Sequence, residues 1–138
     1  MALRWYSTVI DCHDIAAQAR WWAETLGWEI VYEDEHEVAV DPPEAAARPD
    51  DATIDDLATW VTERPALVFV PVEEGKTVKN RLHIDLAPHR SQDRDAEIAA
   101  LEARGATRVD VGQSEDVTWT VLADPEGNEF CVLSSRNR

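Results

Sequence analysis

The stretch Asp14-Ile15-Ala16-Ala17-Gln18-Ala19-Arg20-Trp21-Trp22-Ala23-Glu24-Thr25-Leu26-Gly27 decides the reading of the fold. Asp14 suits a helix N-cap, because its carboxylate can accept from the free N–H groups of a first turn. Ile15, Ala19, Trp22 and Leu26 recur at i, i+4, i+7 and i+11, which is one apolar helical face. Gly27 stands where a glycine ends helices. Before this helix, Arg4 to Cys12 reads as a strand, since Trp5, Tyr6, Thr8, Val9 and Ile10 favour extended backbone. After it, Trp28 to Glu33 reads as a strand and Glu37 to Asp41 as a weaker one.

The pattern then returns. Residues 42–52, with Pro42, Pro43 and Pro49, read as a loop. Thr53 followed by Asp56 resembles a capping box with Asp in place of Glu, and Ile54, Leu57, Ala58 and Val61 form the stripe of a short helix. Ala66 to Val72 is a nearly continuous apolar run, a buried strand. Arg81 to Ala87 opens a second half as a strand. Ser91 or Asp93 caps its helix, Ile98 and Leu101 lie on the inner face, and Gly105 closes it as Gly27 closed the first. Strands at Thr107–Val111, Val117–Ala123 and Glu129–Ser134 follow. Asp124-Pro125-Glu126-Gly127 is a turn, with Pro fixing φ at its second position. Each half thus reads strand, helix, three strands: an α+β fold of two βαβββ modules, 1–74 and 79–138, with an inserted loop and short helix at 42–64.

Composition narrows the function. The chain has 138 residues and a formal charge of −15. Residues 1–69 carry a net −11 and residues 70–138 a net −4, an acidic surface that favours solubility. A nucleic-acid partner needs clustered Lys and Arg, and only Lys76 to Arg81 approaches that. An anionic membrane surface is disfavoured for the same reason. No apolar run reaches the ~20 residues that span a bilayer, and no signal peptide is recognised. Cys12 and Cys131 lack CxxC spacing, so a cytoplasmic protein with reduced thiols is expected. GxGxxG, P-loop and GxSxG sequences are absent, which gives no support for nucleotide-dependent chemistry or serine hydrolysis.

Three segments carry a family resemblance: Trp21-Trp22-Ala23-Glu24-Thr25-Leu26-Gly27-Trp28, Lys79-Asn80-Arg81-Leu82-His83-Ile84-Asp85-Leu86, and Asp124-Pro125-Glu126-Gly127-Asn128-Glu129-Phe130-Cys131. Together they resemble the vicinal oxygen chelate superfamily, specifically glyoxalase-like domains of the type common in actinobacteria. Glyoxalase I, extradiol dioxygenases, and bleomycin and fosfomycin resistance proteins belong to that superfamily. The resemblance implies a mixed sheet curled around a cavity shared by the two modules, and a homodimer. In metal-dependent members, first and last strands of each half supply ligands. Carried over, that places His83 and Glu129 as a metal pair, chemically suited to Zn, Ni, Mn or Fe(II). The first half departs from the pattern: its best-matching position is Val9, and its last strand offers Leu67-Val68-Phe69-Val70, none of which can ligate. Two protein ligands hold a metal weakly where catalytic zinc uses three. No cofactor is therefore firmly expected.

His83 has three readings from residue type: half of a metal site, a polar contact to an organic ligand, or a core histidine bonded to a neighbouring strand. Strand alternation puts Arg81 and Asp85 on its face. Glu129 begins the last strand, where a buried carboxylate needs a partner. Cys131 shares its face and suits a small buried hydrophobe lining the cavity. His13, His36 and His89 lack ligand spacing, and His36 sits in the acidic hairpin tip Glu33–Glu37. Of six tryptophans, Trp22 fits the first helix core, and Trp119 suits a pocket wall for a planar or cationic ligand. The expected ligand contacts are Val9, His83, Asp85, Trp119, Glu129 and Cys131. The leading expectation is a small-molecule-binding protein with its metal site incomplete or absent. The competing one is a divalent-metal-dependent lyase, isomerase or dioxygenase.

Overall fold

In the computed structural model, which describes residues 2–138, the chain forms two compact units that divide between Gly75 and Lys76. The first contains β1 (Ser7–Cys12), α1 (Ile15–Leu26), β2 (Glu29–Glu33), β3 (Val38–Asp41), α2 (Pro43–Ala46), α3 (Leu57–Thr62) and β4 (Ala66–Pro71). The second contains β5 (Ile84–Leu86), α4 (Arg94–Ala103), β6 (Thr107–Arg108), β7 (Thr120–Ala123) and β8 (Glu129–Val132). The sheet orders are β1-β4-β3-β2 and β5-β8-β7-β6. In both, the first strand runs parallel to the last and the other neighbours are antiparallel. The repeat read from punctuation alone is therefore a repeat of topology. The strands make two separate mixed sheets, and neither closes on itself.

Local chemistry explains the helices. Asp14 accepts from the Ala17 N–H at 3.0 Å, and Gly27 ends α1 at φ 65°, a left-handed conformation that costs glycine little. Asp93 accepts from Asp95 and Ala96 N–H groups at the start of α4. In the first unit α1 packs on β3 and β4, and Ala19, Trp22, Val38, Val40, Leu67 and Phe69 are buried. In the second, Ile98 and Leu101 of α4 are buried together with Leu122, Phe130 and Val132.

Several boundaries differ from the sequence reading, each for a local reason. Residues 42–52 are not all loop: Pro43 occupies the first turn of α2, where a missing N–H costs nothing. The cap of α3 is Asp56, not Thr53, since its carboxylate accepts both the N–H and the hydroxyl of Thr59. β1 begins at Ser7 rather than Arg4, where the backbone ladder to β4 begins. β5 is only Ile84–Leu86, leaving Arg81, Leu82 and His83 ahead of it, and β6 ends at Arg108. The β7–β8 turn forms as read: Gly127 N–H donates to Asp124 O, while the buried Asp124 carboxylate accepts from Glu126 and Asn128 N–H groups.

Candidate functional site

Alternation builds the site on one face of the second sheet. Asp85 of β5 lies directly opposite Cys131 of β8, and Cys131 directly opposite Val121 of β7. Two residues away along β8, Glu129 and Leu133 share that face, while Phe130 and Val132 point to the buried side. His83 lies two residues before Asp85, and Trp119 two before Val121. These side chains, with Lys79 and Val111, line a cavity of about 310 Å³. Every lining residue belongs to the second unit.

The cavity has a polar and an apolar part. Val111, Trp119, Val121 and Leu133 supply the apolar wall, and Trp119 leaves 41% of its surface exposed. On the polar part, His83 Nε2 lies 3.2 Å from Asp85 Oδ1. The Cys131 Sγ joins them: the three donor atoms all fall within 4.8 Å of one another. Burial raises the Cys131 thiol pKa, reinforced by the charge of Asp85 and a hydrogen bond to it, with Lys79 opposing.

Glu129 is differently occupied. Its Oε2 takes an ion pair from Lys76 Nζ at 2.9 Å and the Asn80 N–H at 3.2 Å. Burial works against its charge, yet the Lys76 and backbone hydrogen bonds outweigh it and hold the carboxyl below its ordinary range. A metal held by His83 and Glu129 would share this carboxylate with Lys76, whose contacts fall on Oε2. In the first unit, Val9 and Val68 face each other across β1 and β4 and offer no donor atom.

The structure brings His83, Asp85, Trp119, Glu129 and Cys131 together. Val9 belongs to β1 of the first unit, with its side chain exposed. Arg81 is exposed in the irregular segment and does not line the cavity. His36 sits exposed at the β2–β3 hairpin tip, 3.4 Å from Glu35, and His89 bonds Ser91 Oγ at 2.7 Å. Lys76 and Lys79 were missed as site residues. The need of a buried Glu129 for a partner was the signal, but nothing local in the sequence names that partner.

A glyoxalase-like domain model matches residues 7–133. Among curated proteins, none matches the chain. Of the solved structures, a glyoxalase/bleomycin resistance protein/dioxygenase family enzyme from Burkholderia phytofirmans PsJN is similar at TM-score 0.67 and 16% identity, covering 97% of this chain and 100% of that one. A superfamily member from Sphaerobacter thermophilus is similar at TM-score 0.59 and 20% identity, covering 98% of each chain. The fosfomycin resistance protein FosX from Listeria monocytogenes, complexed with Mn(II) and 1S,2S-dihydroxypropylphosphonic acid, is similar at TM-score 0.64 and 8% identity, covering 99% of this chain and 92% of that one. Identities this low speak for the fold alone. The family model spans nearly the whole chain, and it is on that match that the chain belongs to the glyoxalase-like domain family of the vicinal oxygen chelate superfamily.

Proposed function

We propose that this protein binds a small organic molecule in the cavity of its second unit, with Trp119 as the contact wall. The observation that carries the proposal is the two-sided lining: an aromatic and aliphatic wall beside a convergent His83–Asp85–Cys131 group. A volume of about 310 Å³ suits a ligand at the small end of the usual range. The overall charge of −15 favours cationic compounds at a distance. Lys79 in the lining, and Lys76 through its ion pair with Glu129, offset Asp85 and Glu129, so shape and stacking decide more than charge. A planar molecule with one hydrogen-bonding edge fits this lining best.

The test is a binding screen of neutral and cationic aromatic compounds by calorimetry, repeated on Trp119→Ala. We expect a binder whose affinity falls at least tenfold in the variant, equivalent to about 1.4 kcal/mol, with the melting temperature little changed. Unfolding of Trp119→Ala, or unaltered affinity, overturns the assignment of Trp119 to the wall.

Two further parts belong to this reading. Neither Cys12 nor Cys131 is in a disulfide, which fits a reducing cytoplasmic setting. A homodimer fits the exposed Leu3, Trp5, Tyr6 and Val9 on and beside the edge strand β1. The second reading, a divalent-metal-dependent lyase, isomerase or dioxygenase through His83 and Glu129, draws on His83 at the cavity. It has Glu129 serve the metal and Lys76 together.

A further inference from the structure

We infer that the first unit carries a binding site of its own for a small zwitterion of amino-acid type, its carboxylate taken by Arg4 and its ammonium by Asp41. The inference does not depend on the ligand-binding reading of the second unit, since every residue it uses belongs to the first. A cavity of about 250 Å³ lies at the end of the first sheet where β1 begins, β3 ends and β4 begins. Tyr6, Asp41 and Ala66 line it from those strand ends, and the inserted stretch 42–64 adds Ala45, Ile54 and Trp60. Two ion pairs brace that insertion. Arg48, shortly after α2, reaches Glu63 at 2.5 Å, and Arg64, shortly after α3, reaches Glu44 of α2.

Charge singles this cavity out. Residues 1–69 carry four basic side chains, Arg4, Arg20, Arg48 and Arg64, and three of the four line it. Arg48 and Arg64 are already matched by Glu63 and Glu44. Arg4 and Asp41 are not matched in this way. The Arg4 guanidinium lies 4.9 Å from the centre of the Tyr6 ring and 5.6 Å from that of Trp60, contacts that hold it in place without supplying an acceptor. Its Nε is buried with no hydrogen-bond partner among the described residues. Asp41 is half-buried, and burial raises its pKa against the opposing charges of Arg4 and Arg48. Among the described residues no cation closes on it as an ion pair. A buried donor without an acceptor and a partly buried carboxylate without a cation both disfavour the empty site. One molecule carrying a carboxylate and an ammonium satisfies both. A simple anion would meet the charge of Asp41, and a simple cation that of Arg4. The volume lies below that of drug-sized pockets and suits an amino acid, with Ile54 and Trp60 as the apolar wall.

The experiment is calorimetric titration of the full-length chain with glycine, L-leucine and L-phenylalanine. Two probes matched to leucine, isocaproate and isoamylamine, each lack one of its charges. A nitrogen-labelled sample reports the Arg4 Nε–H resonance, assigned by its loss in Arg4→Gln. We expect leucine to bind at one equivalent and to shift that resonance. Each matched probe should bind at least tenfold more weakly, equivalent to about 1.4 kcal/mol. Arg4→Gln and Asp41→Asn should each weaken leucine binding by a similar factor, with circular dichroism unchanged. Should Arg4→Gln fail to fold, the resonance of the parent chain and Asp41→Asn carry the test. Trp119→Ala, in the other unit, should leave leucine affinity within about twofold. Isocaproate binding as tightly as leucine overturns the proposal in favour of a plain anion site, and isoamylamine binding as tightly overturns it in favour of a plain cation site. An Arg4 resonance that no amino acid moves overturns it, as does absence of binding by all three. Leucine binding lost in Trp119→Ala but kept in Asp41→Asn also overturns it, and assigns the amino acid to the second unit.

Discussion

The Lys76–Glu129 pair shows how one side chain can redirect a site. Glu129 would be a poor choice for a buried position on its own, because desolvation disfavours its charge. Lys76 and the Asn80 N–H reverse that balance and hold its pKa below the ordinary value. A carboxyl whose folded pKa is depressed contributes stability above its unfolded pKa, and that contribution disappears as pH falls through the folded value. Lys76→Met should therefore cost about 2 kcal/mol near neutral pH, and the difference from the parent chain should shrink once Glu129 is protonated. Urea unfolding of both proteins at neutral pH and below the carboxylate range measures this. A difference that is independent of pH would mean that Lys76 acts through packing of its stem and not through charge. His83, Glu129 and Cys131 were legible in the sequence as residue types on suitable strands. That Lys76 reaches Glu129, and that Asp85 lies directly opposite Cys131, was not, because each contact joins segments far apart in the sequence.

At the scale of elements, whatever depended on neighbours in sequence could be read. The caps Asp14 and Asp93, the closing Gly27 and the Asp124–Gly127 turn are local arrangements completed within a few residues. Strand ends were less legible, since a ladder ends where its partner does: β5 stops at three residues although Arg81 to Ala87 reads as one strand. The clearest omission is Arg94, the first residue of α4. Its guanidinium donates to Leu133 O at 2.9 Å and to Val132 O and Thr120 Oγ1, each at 2.8 Å. It ties the helix start to the ends of β7 and β8, through partners 26 to 39 residues away that no periodicity reveals. Arg94→Lys keeps the charge but not the fork, and should destabilise the protein by about 2 kcal/mol in thermal or urea unfolding. A change under about 0.5 kcal/mol would show these bonds to be replaceable by water.

Across the molecule, two units of one topology carry unequal chemistry. The second sheet presents His83, Asp85, Glu129 and Cys131 on one face, while the facing positions of β1 and β4 in the first hold Val9 and Val68. That asymmetry was visible in the sequence as missing donors, and it makes an assembly role for the first edge strand the natural counterpart. Sedimentation velocity should give twice the chain mass, and Val9→Lys should move the population toward monomer; a monomeric parent chain removes the dimer from the proposal. The pairing of first strand with last has one more consequence. Asp85 and Cys131 lie near opposite ends of the second unit's chain, so their meeting closes one of its longer loops. Loop closure of this kind carries the largest entropic cost and tends to come late. The face that carries Asp85 is therefore completed only when the final strand pairs with β5. Whatever bridges those two side chains acts as a clasp on the whole unit, coupling occupancy of the site to the lifetime of the fold.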